Sequence, residues 1–276
     1  MADQLTNQPP SVTTYKLSYP APHVLLITIN RPKQMNSIPV LGHWEADSLF
    51  TWFDEEPSLR VAVITGAGDK AFSAGADLIE AGKTRGAGKA QAPVPLSGFM
   101  GVSRRVGKKP IIAAVNGFAL GGGFEICLGC DMIVASPKAQ FGLPEALRGL
   151  YAGAGGLSRL VRLVGLTQAS EIALTGKRLS AEEAVARGVA NKVSKTHESV
   201  VEEAIEMATL IGELSPDAVI VTKHGLRQAL ETASVERASQ LTQERYGYAL
   251  SQAPNFRIGL TAFAQKQKPN WVASKL

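Results

Sequence analysis

From Pro110 to Phe124 the chain carries no charge, and this longest apolar run stops at Glu125. Asn116 and four glycines interrupt it, so it is too short and too polar to span a bilayer, which takes about 20 consecutive apolar residues. It divides instead into a buried strand, Ile111-Ile112-Ala113-Ala114-Val115, a break at Gly121-Gly122-Gly123, and a helix from Phe124 to about Gly129 or Cys130. A chain that packs such a run needs a sheet with helices laid against it.

The same order recurs elsewhere. Val24 to Ile29 reads as a strand closed by Asn30-Arg31-Pro32, Leu41 to Phe53 has helical spacing, and Val61 to Thr65 is a buried strand ending at Gly66. Met132 to Ala135 is a short strand, and Gln140-Phe141-Gly142 leads to Pro144-Glu145, with proline at a helix's first position. Strand and helix in alternation predict an α/β architecture. Residues 1–14, polar and containing Pro9-Pro10, read as a flexible arm, residues 15–212 as the core, and residues 213–276 as a helical C-terminal element. Ser180 and Glu183 form a capping box, Val201, Ala204, Ile205, Ala208 and Ile211 repeat at helical period, and Ser215-Pro216 starts another helix. Residues 82–98, glycine-rich and carrying Lys83, Arg85 and Lys89, read as a mobile basic loop.

With 276 residues, 45% hydrophobic and 19% charged, the chain is neither a disordered tail nor a coiled coil. Its N-terminus has no positive segment followed by an apolar one, so no secretory leader is suggested. The net charge of +5 decides nothing by itself. Cys127 and Cys130 lack a second pair, and His23, His43, His197 and His224 are distant, so the cysteines read as small buried residues in a reducing compartment and no metal is implied. Gly82 to Ala90 breaks the phosphate-loop pattern and Gly153-Ala154-Gly155-Gly156 lacks the context of a dinucleotide site, so no nucleotide cofactor is supported. Arg104, Arg105, Lys108 and Lys109 could face a nucleic acid, but a solvated helix face accounts for them more simply.

Two segments carry chemistry. Phe72 to Leu78 and Asn116 to Glu125 each place small residues after a buried strand, letting backbone N–H groups approach a ligand. Gly122 and Gly123 open a helix, whose positive end favours a developing anion, as an oxyanion hole requires; tight helix–sheet packing explains many such glycine runs equally well. Glu125 and Glu145 stand in first turns among apolar neighbours. Singly, each could merely satisfy a helix dipole. Held together in an apolar site, two carboxyls shift apart in pKa, so that one gives a proton while the other takes one.

These motifs together resemble the crotonase superfamily, and within it the enoyl-CoA hydratases, over roughly residues 20–270. The resemblance rests on Ala71 to Asp77, Lys109-Pro110 with Ala113 to Gly117, Leu120 to Gly123 with Glu125, Ala139 to Gly142 with Pro144-Glu145, and Gly153 to Gly156. It implies a spiral of repeated β-β-α turns with a helical C-terminal trimerisation element, and a homotrimer or a dimer of trimers. It also implies that the N–H groups of Ala76 and Gly122 hold a thioester oxygen, with Ala74, Asp77 and Leu78 beside the CoA moiety. Glu125 and Glu145 would flank the double bond and position water with the Gly153 amide. Coenzyme A then enters as part of an acyl-CoA substrate and no separate cofactor is implied.

The chain departs from the family pattern at Ile79, where many members have a lysine near the CoA phosphates, leaving that contact to Lys33 or the 83–89 stretch. It departs again at Tyr151-Ala152, at the wall of the acyl pocket. The chain ends Ser274-Lys275-Leu276, a peroxisomal address read by an import receptor, behind a tail that Lys266, Lys268 and Pro269 would keep accessible. The expectation is a peroxisomal enoyl-CoA hydratase of fatty-acid β-oxidation or a related pathway. The alternatives are an enoyl-CoA isomerase, which works with one carboxylate, and an RNA-binding or non-catalytic protein on the same scaffold.

Overall fold

Successive residues of the central strands face two different cores, and this alternation organises the molecule. The computed structural model describes residues 5–85 and 94–276. Its strands are β1 (Tyr15–Ser18), β2 (Val24–Ile29), β3 (Val61–Gly66), β4 (Ala71–Ser73), β5 (Ile111–Val115), β6 (Phe118–Leu120), β7 (Met132–Ala135), β8 (Gln140–Gly142), β9 (Leu179–Ser180) and β10 (Lys192–Val193). They form a six-stranded sheet in the order β1-β2-β3-β5-β7-β10 and a four-stranded sheet in the order β4-β6-β8-β9. After α1 (Val40–Glu55), each turn of chain leaves one strand in the first sheet, the next in the second, and then a helical segment. β3 and β4 precede α2 (Leu78–Arg85), and β5 and β6 precede α3 (Gly122–Gly129). This is the expected spiral, and both copies put a loop rich in small residues at the end of the second-sheet strand.

The helices that follow are α4 (Gly156–Val164), α5 (Leu166–Thr175), α6 (Ala181–Ala186), α7 (Val200–Gly212), α8 (Pro216–Thr232), α9 (Val235–Thr242), α10 (Tyr248–Gln252) and α11 (Pro254–Ala264). Val61, Val63, Ile112, Ala114 and Val134 pack against Val200, Ala204 and Ala208 of α7. Their neighbours Ala62, Ile64, Ile111, Ala113 and Val115 point to the opposite core, with Phe50, Phe53, Phe72, Phe124 and Phe141. Burying each aliphatic side chain contributes roughly 1.5–3 kcal/mol, which is why these strands are apolar at every position rather than at alternate ones. The capping box of α6 forms as expected, with the Glu183 N–H on Ser180 Oγ and the Ser180 N–H on Glu183 Oε2. Among the described residues no helix is long and apolar enough to cross a membrane.

Several expectations need correction. Residues 5–14 form no helix or strand, but they are not loose. The N–H groups of Thr6 and Asn7 donate to the Glu56 carboxylate, and those of Thr13 and Thr14 donate to Glu45. Of the stretch expected to be a mobile loop, residues 82–85 continue α2, residues 86–93 lie outside the described residues, and Pro95 to Gly98 close a turn. The basic residues after Ser103 lie on no helix, and of the four only Arg104 and Lys108 are exposed. Arg105 is buried, pairing with Asp54 over the Phe50 ring, and Lys109 is buried with its Nζ donating to Phe53 O and Glu56 O, both at 2.6 Å. A charged group with its donors spent inside the protein has none to offer a phosphate.

The tail is also tied down. Ser274 Oγ and Lys275 N both donate to Asp217 Oδ1, Lys108 Nζ reaches Leu276 O at 2.9 Å, and Trp271 Nε1 donates to Glu213 O. Asp217, fully buried at the start of α8, also accepts from Asn255 of α11, so the last residues are part of the helical layer's packing.

Candidate active site

After β4 the chain turns through Ala74 to Leu78 with Gly75 at φ +87°, a conformation that L side chains rarely adopt. A Cβ on Gly75 would stand 2.7 Å from the Gly122 nitrogen and 3.0 Å from Leu120 O, and a Cβ on Gly123 would overlap Ser73 O. Only side-chain-free residues let these two loops touch, and their contact sets Ala76 beside the N-terminus of α3. The surrounding amides are used: Gly75 N donates to Ser73 Oγ, Asp77 N to Ile38 O, and Gly121 N to Gly142 O. Among the described residues no such bond engages the N–H of Ala76 or Gly122. Two free donors, one on a helix N-terminus, suit an oxygen that gains negative charge.

Ala74, Ala76 and Leu78 are exposed and open to a ligand. The Asp77 carboxylate accepts from Arg31 Nη1 at 2.9 Å and from Glu80 N at the start of α2. Ile79 is exposed and offers no charge, Lys33 stands in a short 3-10 turn, Pro32–Gln34, and the side chains of the 83–89 stretch lie outside the described residues.

The two glutamates converge on the start of α3 by different routes. Glu125, in the first turn and buried, accepts the Gly156 N–H at 2.8 Å. Burial raises its pKa, opposed by the N–H groups of Gly156 and Ala154 and by the Arg159 charge. Glu145 opens a single 3-10 turn, Glu145–Arg148, rather than the expected α-helix, and Pro144 caps that turn instead of occupying its first position. Its Oε1 faces Gly121, where a Cβ would lie 3.2 Å away, and its buried Oε2 has no hydrogen-bond partner among the described residues. Burial, reinforced by the Glu125 charge, pushes the Glu145 carboxyl up to about 7. Both carboxyls are thus raised, Glu145 to about 7, and the Gly156 amide favours the ionised form of Glu125.

Gly153 lies exposed in the loop joining the glutamates, three residues before the Gly156 whose amide holds Glu125. Arg159 braces that loop, with Nη2 donating to Ser103 O at 2.6 Å and Nη1 close to Ala154 O. Sequence spacing did not reveal Arg159, nor Phe99, whose ring lies 2.6 Å from where a Gly122 Cβ would be. The ring packs on His43, centroids 4.5 Å apart, and His43 Nδ1 accepts the Met100 N–H. Phe99 comes from an irregular stretch and His43 from the buried face of α1, so neither stands out in a pattern. Cys127 is buried in α3 and Cys130 caps it, both free, with burial raising both thiols.

The family model for enoyl-CoA hydratase/isomerase matches residues 21–274. The chain belongs to this family. A mevalonyl-coenzyme A hydratase of Aspergillus fumigatus is 46% identical over 271 residues, covering 98% of this chain and 99% of the relative. A carnitinyl-CoA dehydratase of Proteus mirabilis is 38% identical, covering 90% of this chain and 94% of its own. Among solved structures, an enoyl-CoA hydratase from Mycobacterium tuberculosis superposes with a TM-score of 0.85 at 32% identity, over 95% of this chain and 99% of the other. These likenesses confirm the crotonase fold for this enoyl-CoA hydratase/isomerase family member.

Proposed function

We propose that this chain is a hydro-lyase that adds water reversibly across the C2–C3 double bond of a 2-enoyl-CoA. Its substrate would carry a short acyl group, branched at C3 and polar at its far end, with mevalonyl-CoA as the hydrated partner. The observation that carries the reaction class is the pair of carboxyls, buried Glu125 and half-buried Glu145, brought to one helix start beside two amides that are unengaged among the described residues. The Ala76 and Gly122 N–H groups would hold the thioester oxygen and make C3 electrophilic. Glu125, fixed by Gly156, takes a proton from water as the water oxygen bonds to C3. The double-bond electrons move to the thioester oxygen as an enolate, which the two amides stabilise by about 3–4 kcal/mol each. The enolate collapses as Glu145 hands its proton to C2, and solvent exchange restores the two carboxyls. Dehydration runs the same steps backward.

The substrate class is supported by the mevalonyl and carnitinyl relatives, whose acyl groups both carry a polar end. Incubating purified protein with mevalonyl-CoA and following its loss of water by mass tests the proposal. Turnover of crotonyl-CoA with none of mevalonyl-CoA would replace it with the straight-chain reading in fatty-acid β-oxidation. Shifted alkenes without hydroxyacyl products would point to the isomerase. The buried Arg105 and Lys109 weigh against an RNA-binding role. Peroxisomal import through Ser274, Lys275 and Leu276 belongs to the same proposal, as does assembly into a homotrimer or a dimer of trimers. Exposed apolar side chains such as Leu226, Leu260 and Phe263 on the C-terminal helices support that assembly.

A further inference from the structure

After Glu145 the chain makes a short loop anchored at both ends. Leu150 N donates to the Glu145 backbone carbonyl at 3.0 Å and Gly156 N donates to Glu125 Oε1 at 2.8 Å, so the loop runs from the backbone of one glutamate to the carboxylate of the other. Residues 151–155 are Tyr, Ala, Gly, Ala and Gly, which makes Tyr151 the one large side chain there. Its ring folds back over Gly153: a Cβ at that position would lie 3.1 Å from Cε2 and Cζ and 3.2 Å from Oη. Ala152 is buried behind it and anchors the backbone, while Tyr151 itself is 78% exposed. Among the described residues no hydrogen bond from protein engages the phenol oxygen.

The carboxyls must flank C2 and C3, so acyl atoms beyond C3 pass this loop. An alkyl chain there gains from an aliphatic wall, whereas a phenol offers one donor and one acceptor. We propose that Tyr151 is the specificity-determining residue for the acyl group, its hydroxyl making a hydrogen bond to a hydroxyl carried beyond C3. This rests on the polar-acyl reading above.

Two thioesters that differ only in that hydroxyl test it: 5-hydroxy-3-methylpent-2-enoyl-CoA and 3-methylpent-2-enoyl-CoA, each hydrated by the native protein and by Tyr151→Phe. The native protein should prefer the hydroxylated ester by about tenfold or more in kcat/KM, and Tyr151→Phe should bring the two within about twofold. A native preference that survives in Tyr151→Phe overturns the assignment while leaving the polar-acyl reading intact, whereas a native protein that hydrates both esters equally overturns the assignment and the preference for a polar acyl end together. A native protein that hydrates crotonyl-CoA and neither branched ester overturns both.

Discussion

Glu125 and Glu145 are one residue type in two electrostatic settings, and the difference assigns their work. Glu125 receives the Gly156 amide and the Arg159 charge, both favouring the ionised form, while Glu145 has an unpartnered buried oxygen and the neighbouring Glu125 charge. On the proposed mechanism Glu145 serves as the acid in hydration and Glu125 as the base. Glu125→Gln and Glu145→Gln should each lower kcat by about 10²–10⁴-fold in a hydration assay. Because hydration needs Glu145 protonated, its kcat/KM should fall as pH rises through about 7, whereas dehydration should gain over the same range. The same shift affects stability. A carboxyl raised from 4.5 to about 7 on folding binds more protons in the folded than in the unfolded state between those values, so stability falls as pH climbs from 4.5 to 7. Glu145→Gln removes that loss and should be more stable than the native protein at pH 8 by about 1 kcal/mol, since solvent screens this half-buried carboxyl, with little difference at pH 4. Urea unfolding at the two pH values checks this; equal differences at both would mean that Glu145 titrates normally.

At the scale of elements, the site depends on two loops that meet through glycine. Gly75→Ala would drive a methyl onto the Gly122 nitrogen and strain a backbone at φ +87°, at a cost of about 1–2 kcal/mol from the conformation alone. Gly122→Ala would press on the Phe99 ring, which His43 backs. Both should cut kcat by at least about tenfold, since they displace the proposed oxyanion donors. Gly82, on α2 with no described atom within 4 Å of where its Cβ would stand, is the contrasting case. Gly82→Ala should raise stability by about 0.5–1 kcal/mol in thermal or urea unfolding. A loss of activity there as large as at Gly75 would show that glycine flexibility, and not close approach, is what the site needs.

Across the whole molecule, the last residues connect distant parts. Asp217 accepts from Asn255 of α11 and from Ser274 and Lys275 of the tail, while Lys108, next to the strand that leads into the site, reaches Leu276. Deleting residues 274–276 leaves a buried carboxylate short of two donors and should lower stability by about 1–3 kcal/mol, measured by urea unfolding. A truncated protein as stable as the native one would mean that the tail merely rests on the surface. If an import receptor reads the tail, it must first draw it away from Asp217.

The strand ranges of β2, β5 and β7, the presence of α1 and α7, and the α6 capping box were legible from sequence, because each follows from hydrophobic period or from a short local pattern. So were the segments Phe72 to Leu78 and Asn116 to Glu125 with Gly122, Glu125 and Glu145, through small residues after buried strands and carboxyls in apolar surroundings, whereas Ala76 was singled out only by the family resemblance. Their division of labour was not legible, since the Glu145 shift comes from burial and from Glu125, twenty positions away in sequence but beside it in space. Nor was the fate of Arg105, Lys109 and the C-terminal residues, which composition presents as charged and solvated. Only the folded chain decides that Asp54, the Phe53 and Glu56 carbonyls and Asp217 stand where those groups end, because hydrogen bonds between remote segments depend on how the layers pack and leave no periodic trace.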